Sequence, residues 1–150
     1  MSVARQATEY TDLFASAGYL LLPSVIPAEP LARLCGTLRS EFVRAEYAGE
    51  LFSGGGMISG HLNCFPGETS RFVHEHLEEA GILELVRTLA PQATRGPNIG
   101  CNINLPASHA QNRHVDGYAA TPFMIANVAV MDTTRENGAI ELYPESHRRD

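Results

Sequence analysis

The hydrophobic positions change their period along the chain, helical in the first ninety residues and alternating afterwards. Between Ala7 and Ala17 the residues Tyr10, Leu13, Phe14 and Ala17 recur at helical spacing, and Gly18 follows as a natural stop. Tyr19-Leu20-Leu21-Leu22-Pro23 is a short apolar run that predicts a buried strand closed by proline. Pro27 and Pro30 mark a helix start, after which Leu31, Leu34, Leu38 and Phe42 share one face of an amphipathic helix ending near Tyr47. The helical period returns from Glu68 to Leu89 through Phe72, Leu77, Ile82, Leu85 and Leu89, with Gly81 placed to divide it in two. Between these helices, Gly54-Gly55-Gly56 and Gly60 form a flexible loop, read either as a lid over a site or as plain surface.

After Pro91 the period drops to two. Ile99, Cys101, Ile103 and Leu105 fall on one face of a strand, and Gly100, Asn102 and Asn104 on the other. Phe123 to Met131 is the strongest strand signal, and its Ile125, Val128 and Val130 are expected to be buried. Thr133 to Gly138 supplies turn chemistry, with Asn137-Gly138 a favoured hairpin dipeptide, and Ala139 to Tyr143 returns as a further strand. Helices first and antiparallel strands second predict an α+β fold, one domain over residues 1–150, with a sheet still growing where the sequence stops.

Composition narrows the function classes. Hydrophobic content of 44% with 19% charged residues belongs to a globular protein, not a disordered tail. A formal charge of -6 leaves no basic stripe for phosphates, so nucleic acid is not the expected partner. No apolar run reaches the length of a membrane span, and Met1 to Thr11 does not read as a secretory signal. Cys35, Cys64 and Cys101 form no C-x-x-C pair, which suggests reduced thiols and a cytoplasmic setting.

The chemistry sits at His114-Val115-Asp116. In an extended segment, residues two apart point to the same side, so imidazole and carboxylate can reach one point. With one more histidine they make the 2-His-1-carboxylate triad of non-haem Fe(II) oxygenases. The spacing alone is weak, since chance supplies roughly 0.16 such pairs in a chain with this many His and Asp residues. The plain alternative is a surface histidine and an aspartate capping the turn before Gly117. His74 and His76 do not share a face if their segment is helical, His61 sits in the glycine-rich loop and could line a pocket, and His109 reads as surface.

Context strengthens the motif. His114-Val115-Asp116 is followed by the Phe123 to Met131 strand, then by Thr134-Arg135-Glu136-Asn137-Gly138-Ala139-Ile140-Glu141-Leu142, then by Pro144-Glu145-Ser146-His147-Arg148. With the opening Phe14-Ala15-Ser16-Ala17-Gly18-Tyr19-Leu20-Leu21-Leu22-Pro23, this order resembles the phytanoyl-CoA dioxygenase family. Glu145 departs from it, standing where the family usually has glycine. The resemblance implies a double-stranded β-helix, the cupin-like jelly-roll, with N-terminal helices packed outside. It implies Fe(II) held by His114 and Asp116, with 2-oxoglutarate and O2 as co-substrates. The implied reaction is hydroxylation, or another oxidation, of an unactivated C–H bond in a small-molecule substrate, with succinate and CO2 as co-products. Asp116 argues against the halogenating branch, in which a small residue replaces the carboxylate.

The family's second metal histidine and its 2-oxoglutarate-binding arginine are expected beyond Asp150, with the C-terminal strands, so the chain reads as an N-terminal portion. His147 is expected to be structural. Asn102 and Asn127 are candidate co-substrate or substrate contacts, Asn104 a weaker one. Asn102 and Asn104 lie on the polar face of a strand that the resemblance places beside the metal. Asn127 interrupts a run expected to be buried, where an amide needs hydrogen-bond partners, a ligand or neighbouring backbone. The rival readings are a metal-dependent hydrolase on a cupin-like barrel and a catalytically inactive binding domain of the same fold.

Overall fold

The computed structural model describes residues 3–50, 52–53, 61–64, 67–92, 98–116 and 123–148. Four helices dominate them: α1 (Val3–Ala17), α2 (Ala28–Ala48), α3 (Arg71–Glu79) and α4 (Ile82–Leu89). Three short strands, β1 (Phe52–Ser53), β2 (His61–Cys64) and β3 (Cys101–Asn104), form one antiparallel sheet in that order. In its register Phe52 faces Asn63, Leu62 faces Ile103 and Asn63 faces Asn102.

The helices end where the backbone can turn left-handed. Gly18 closes α1 at φ 84° while its N–H still reaches Phe14 O at 2.8 Å. Gly49 does the same after α2, two residues beyond the expected end at Tyr47, and donates to the carbonyls of Ala45 and Glu46. Gly81, at φ 74°, separates α3 from α4 and divides the Glu68 to Leu89 pattern. A 3-10 turn, Gly67–Ser70, leads into α3, and the hydroxyl of its buried Ser70 donates to Gly67 O at 2.8 Å.

The core is built on the α2 face read from the sequence. Ile26, Leu34, Leu38 and Val73 form the buried cluster, and Leu31, Phe72, Leu77, Val128 and Val130 pack against it. Each leucine so buried contributes about 1.5–3 kcal/mol. α1 lies against α4.

Three expectations change. Tyr19 to Pro23 forms no strand, and Leu21 points outward at 85% exposure, so the apolar run is a connection between α1 and α2. Phe123 to Met131 and Ala139 to Tyr143 join no ladder among the described residues. In the first of these Met124, Val128 and Val130 are half-buried, but exposed Ala126 interrupts the alternation, and Ile125 and Asn127 are exposed as well. A strand signal is only half local: the side-chain period is carried by the segment, whereas the ladder needs a partner. The Gly54 to Gly60 loop lies outside the described residues. His61 opens β2, and among the described residues no helix is long and apolar enough to cross a membrane.

Candidate functional site

The segment carrying His114 and Asp116 follows β3 without regular secondary structure. The two side chains nevertheless converge, His114 Nε2 lying 3.1 Å from Asp116 Oδ1. They are 50% and 61% exposed, so the pair opens to solvent on its outer side. The other ring nitrogen, Nδ1, donates to the carbonyl of Asn112 at 2.7 Å. That bond selects the tautomer: Nδ1 carries the proton, and Nε2 turns its lone pair toward the carboxylate.

A lone pair facing a carboxylate oxygen at this distance is unfavourable unless a cation is shared between them. The proton is one such cation, and the His114 pKa is raised, chiefly by the Asn112 carbonyl; desolvation works against this, and the charge and hydrogen bond of Asp116 add to it. A divalent metal is the other. Adjacent ligands at about 2.1 Å from an octahedral ion stand roughly 3.0 Å apart, so the pair is spaced as two neighbouring ligands would be. An imidazole anchored through its second nitrogen to a carbonyl is also the usual state of a metal-ligating histidine. The donor set therefore fits a divalent first-row metal. Among the described residues no third histidine, cysteine or carboxylate joins the pair.

The remaining candidates lie elsewhere. Asn102 is exposed on β3. Asn127 is exposed too, which removes the burial from the reasoning that singled it out: an amide in water has its partners already. Asn104 donates to the carbonyl of Gly138 at 3.3 Å and ties β3 to the turn ahead of residues 139–143. His74 and His76 are on a helix as anticipated but half buried, and His76 Nδ1 bonds to Phe72 O at 3.0 Å. His147 has a structural place. Its Nε2 donates to Ala15 O at 3.2 Å, Arg148 donates to the same carbonyl, and Glu145 N–H reaches Ala17 O at 3.0 Å.

Sequence reasoning missed Asn112, whose carbonyl sets the tautomer, and Arg113, whose guanidinium carbon sits 3.7 Å from the centre of the Tyr143 ring. No local period links residues so far apart in the chain. The only available signal was a cation next to the motif and an aromatic in the returning segment.

Four helices and a small antiparallel sheet, with an exposed imidazole–carboxylate pair on the segment that follows β3, define the class as an α+β protein. The family profile described as Phytanoyl-CoA dioxygenase (PhyH) matches residues 14–150. The chain belongs to the phytanoyl-CoA dioxygenase family, a cupin-like family whose members are typically Fe(II)- and 2-oxoglutarate-dependent oxygenases. No curated protein and no solved structure matches the chain.

Proposed function

We propose that the protein is an Fe(II)- and 2-oxoglutarate-dependent dioxygenase that oxidises an unactivated C–H bond of a small-molecule substrate. The observation that carries this is the convergence of His114 Nε2 and Asp116 Oδ1 at 3.1 Å with Nδ1 already committed to Asn112 O. Family membership supplies the reaction class. The packing of Val128 and Val130 against the α2 core agrees with the family's jelly-roll as the fold to which this segment belongs.

When bound, iron and 2-oxoglutarate supply the oxidative chemistry, with succinate and CO2 as co-products. The chain's part is ligation and orientation. In its neutral form His114 offers the Nε2 lone pair, because the Asn112 carbonyl holds the remaining proton on Nδ1, and Asp116 supplies the negative charge that favours a divalent cation. The open outer side of the pair leaves room for co-substrate and substrate. Asn102, on the polar face of β3, is assigned as an amide donor toward a carboxylate or a substrate group, and Asn127, exposed, is not assigned. No described residue is assigned as the second histidine or as the arginine for the distal carboxylate.

The test is anaerobic addition of Fe(II) and 2-oxoglutarate to the purified protein. A weak visible charge-transfer band is expected, lost in His114→Ala and Asp116→Ala. A band or turnover that survives Asp116→Ala, or activity with zinc in the absence of oxygen, would overturn the assignment.

A further inference from the structure

We propose that the Arg113–Tyr143 stack is a positioning device for His114 and Asp116, an inference that rests on the metal-binding reading above. The two ligand candidates lie in a segment with no ladder to hold it, and both are at least half exposed. Such a segment has to be fixed by side chains. Arg113, the residue immediately before His114, lies over the Tyr143 ring at 3.7 Å, a close cation–π contact. On the other side of Arg113, the Asn112 carbonyl holds the His114 ring. The backbone between the imidazole and its anchor is thus held at the one residue whose side chain leaves the segment.

Tyr143 is a fixed point in its turn. Its carbonyl accepts Ser146 N–H at 3.2 Å, Glu145 N–H bonds to Ala17 O, and His147 and Arg148 bond to Ala15 O. From the other direction, β3 is tied to the turn through Asn104 and Gly138. Anchors therefore run from the end of α1 through residues 145–148 to Tyr143, and across the stack to Arg113 and His114.

The stack also settles a competition. An arginine three residues from a carboxylate is a ready ion-pair partner, and such a pair would occupy the oxygen that a metal needs. Here the ion-pair partner of Asp116 is His114, and the Arg113 guanidinium is parked on the aromatic face instead. Arg113 and Tyr143 act through the ligand pair and do not touch the metal themselves.

Cobalt(II), which binds such sites and has visible d–d bands, is the probe, titrated into the full-length protein and its variants. Arg113→Met and Tyr143→Leu should each weaken cobalt binding about two- to fivefold, the range that an exposed cation–π contact converts to. The double variant should be no weaker than the worse single one, because each change removes the same contact. Tyr143→Phe keeps the ring and should bind within error of the unsubstituted protein. Urea midpoints are measured alongside: a merely structural contact moves the midpoint and leaves the cobalt dissociation constant of the folded protein where it was. Unchanged constants in both single variants, or strictly additive losses, overturn the proposal. Should Tyr143→Leu fail to fold, Arg113→Met decides the same question when it is made alone and together with Tyr143→Phe, with equal losses in both cases supporting the stack and unequal ones overturning it. If the unsubstituted protein takes up no cobalt, or His114→Ala binds it equally well, the metal reading fails first and the positioning role with it. If His114→Ala abolishes binding while the Arg113 and Tyr143 variants bind normally, only the positioning role fails.

Discussion

Replacing Gly18 with alanine should unseat residues 145–148 from the end of α1. Two separate effects act at this position. The backbone is left-handed, at φ 84°, where an L-residue costs about 1–2 kcal/mol. Alanine also restricts the unfolded chain, which offsets about 0.4–1 kcal/mol of that. The second effect is steric: a methyl on Gly18 would lie 2.8 Å from His147 Cγ, so the ring has to leave. With it goes the hydrogen bond to Ala15 O, an exposed one and therefore near the low end, about 0.5–1 kcal/mol. The sum is a loss of about 0.5–2.5 kcal/mol, read as a lower urea midpoint at unchanged slope by circular dichroism. The two parts separate in a double-mutant cycle. In a His147→Ala background the ring is gone, and Gly18→Ala should cost only the backbone part, about 1 kcal/mol or less. Equal losses from Gly18→Ala with and without His147 would refute the idea that this glycine makes room for the ring.

Three further outcomes follow from the same geometry. Glu145 adopts φ 65°, the conformation glycine favours, so Glu145→Gly should raise stability, read from the urea midpoint, by about 0.5–1 kcal/mol, the left-handed penalty less the gain in unfolded-chain freedom. Asn137→Ala removes the amide that accepts Thr134 N–H at 2.6 Å and donates to Asp132 O at 2.8 Å; a loss of about 1–2 kcal/mol and faster hydrogen exchange at Thr134 are expected. If the pair holds a metal, affinity should fall about tenfold per pH unit once His114 is protonated, and because its pKa is raised the fall should begin at a higher pH than for an unperturbed imidazole; cobalt titrations across pH check it. The metal-free fold has the opposite dependence. A raised pKa contributes stability that is fully present below the unfolded value and is lost as pH rises through the folded value.

The helices were legible because their information is local. Tyr10, Leu13, Phe14 and Ala17 define a face, Gly18 ends it, and nothing distant is needed; the same holds for Leu31, Leu34 and Leu38. β3 was legible because its alternation survives from Ile99 to Leu105 in the observed burial. The segments from Phe123 and from Ala139 join no ladder among the described residues, since a ladder depends on a partner that no local window contains. Asn127 shows how one displaced premise propagates: placed on the inner face with Ile125 it needs a ligand, and on the outer face it needs none. The His114–Asp116 encounter was foreseen from two-residue spacing, and it holds without a strand because the Asn112 carbonyl orients the ring.

The contact between the end of α1 and residues 145–148 also bears on when the protein can fold. It joins residues 132 apart, and closing so long a loop from the unfolded chain costs about 4 kcal/mol before any constant is added. A few exposed hydrogen bonds do not return that, so the contact forms late, on a scaffold already assembled around α2 and α3. During synthesis α1 emerges well before residues 145–148, so the carbonyls of Ala15 and Ala17 must wait for partners made more than a hundred residues later. A nascent chain paused before Tyr143 would hold Arg113 with no ring to rest on, and would leave the segment carrying His114 and Asp116 without that anchor.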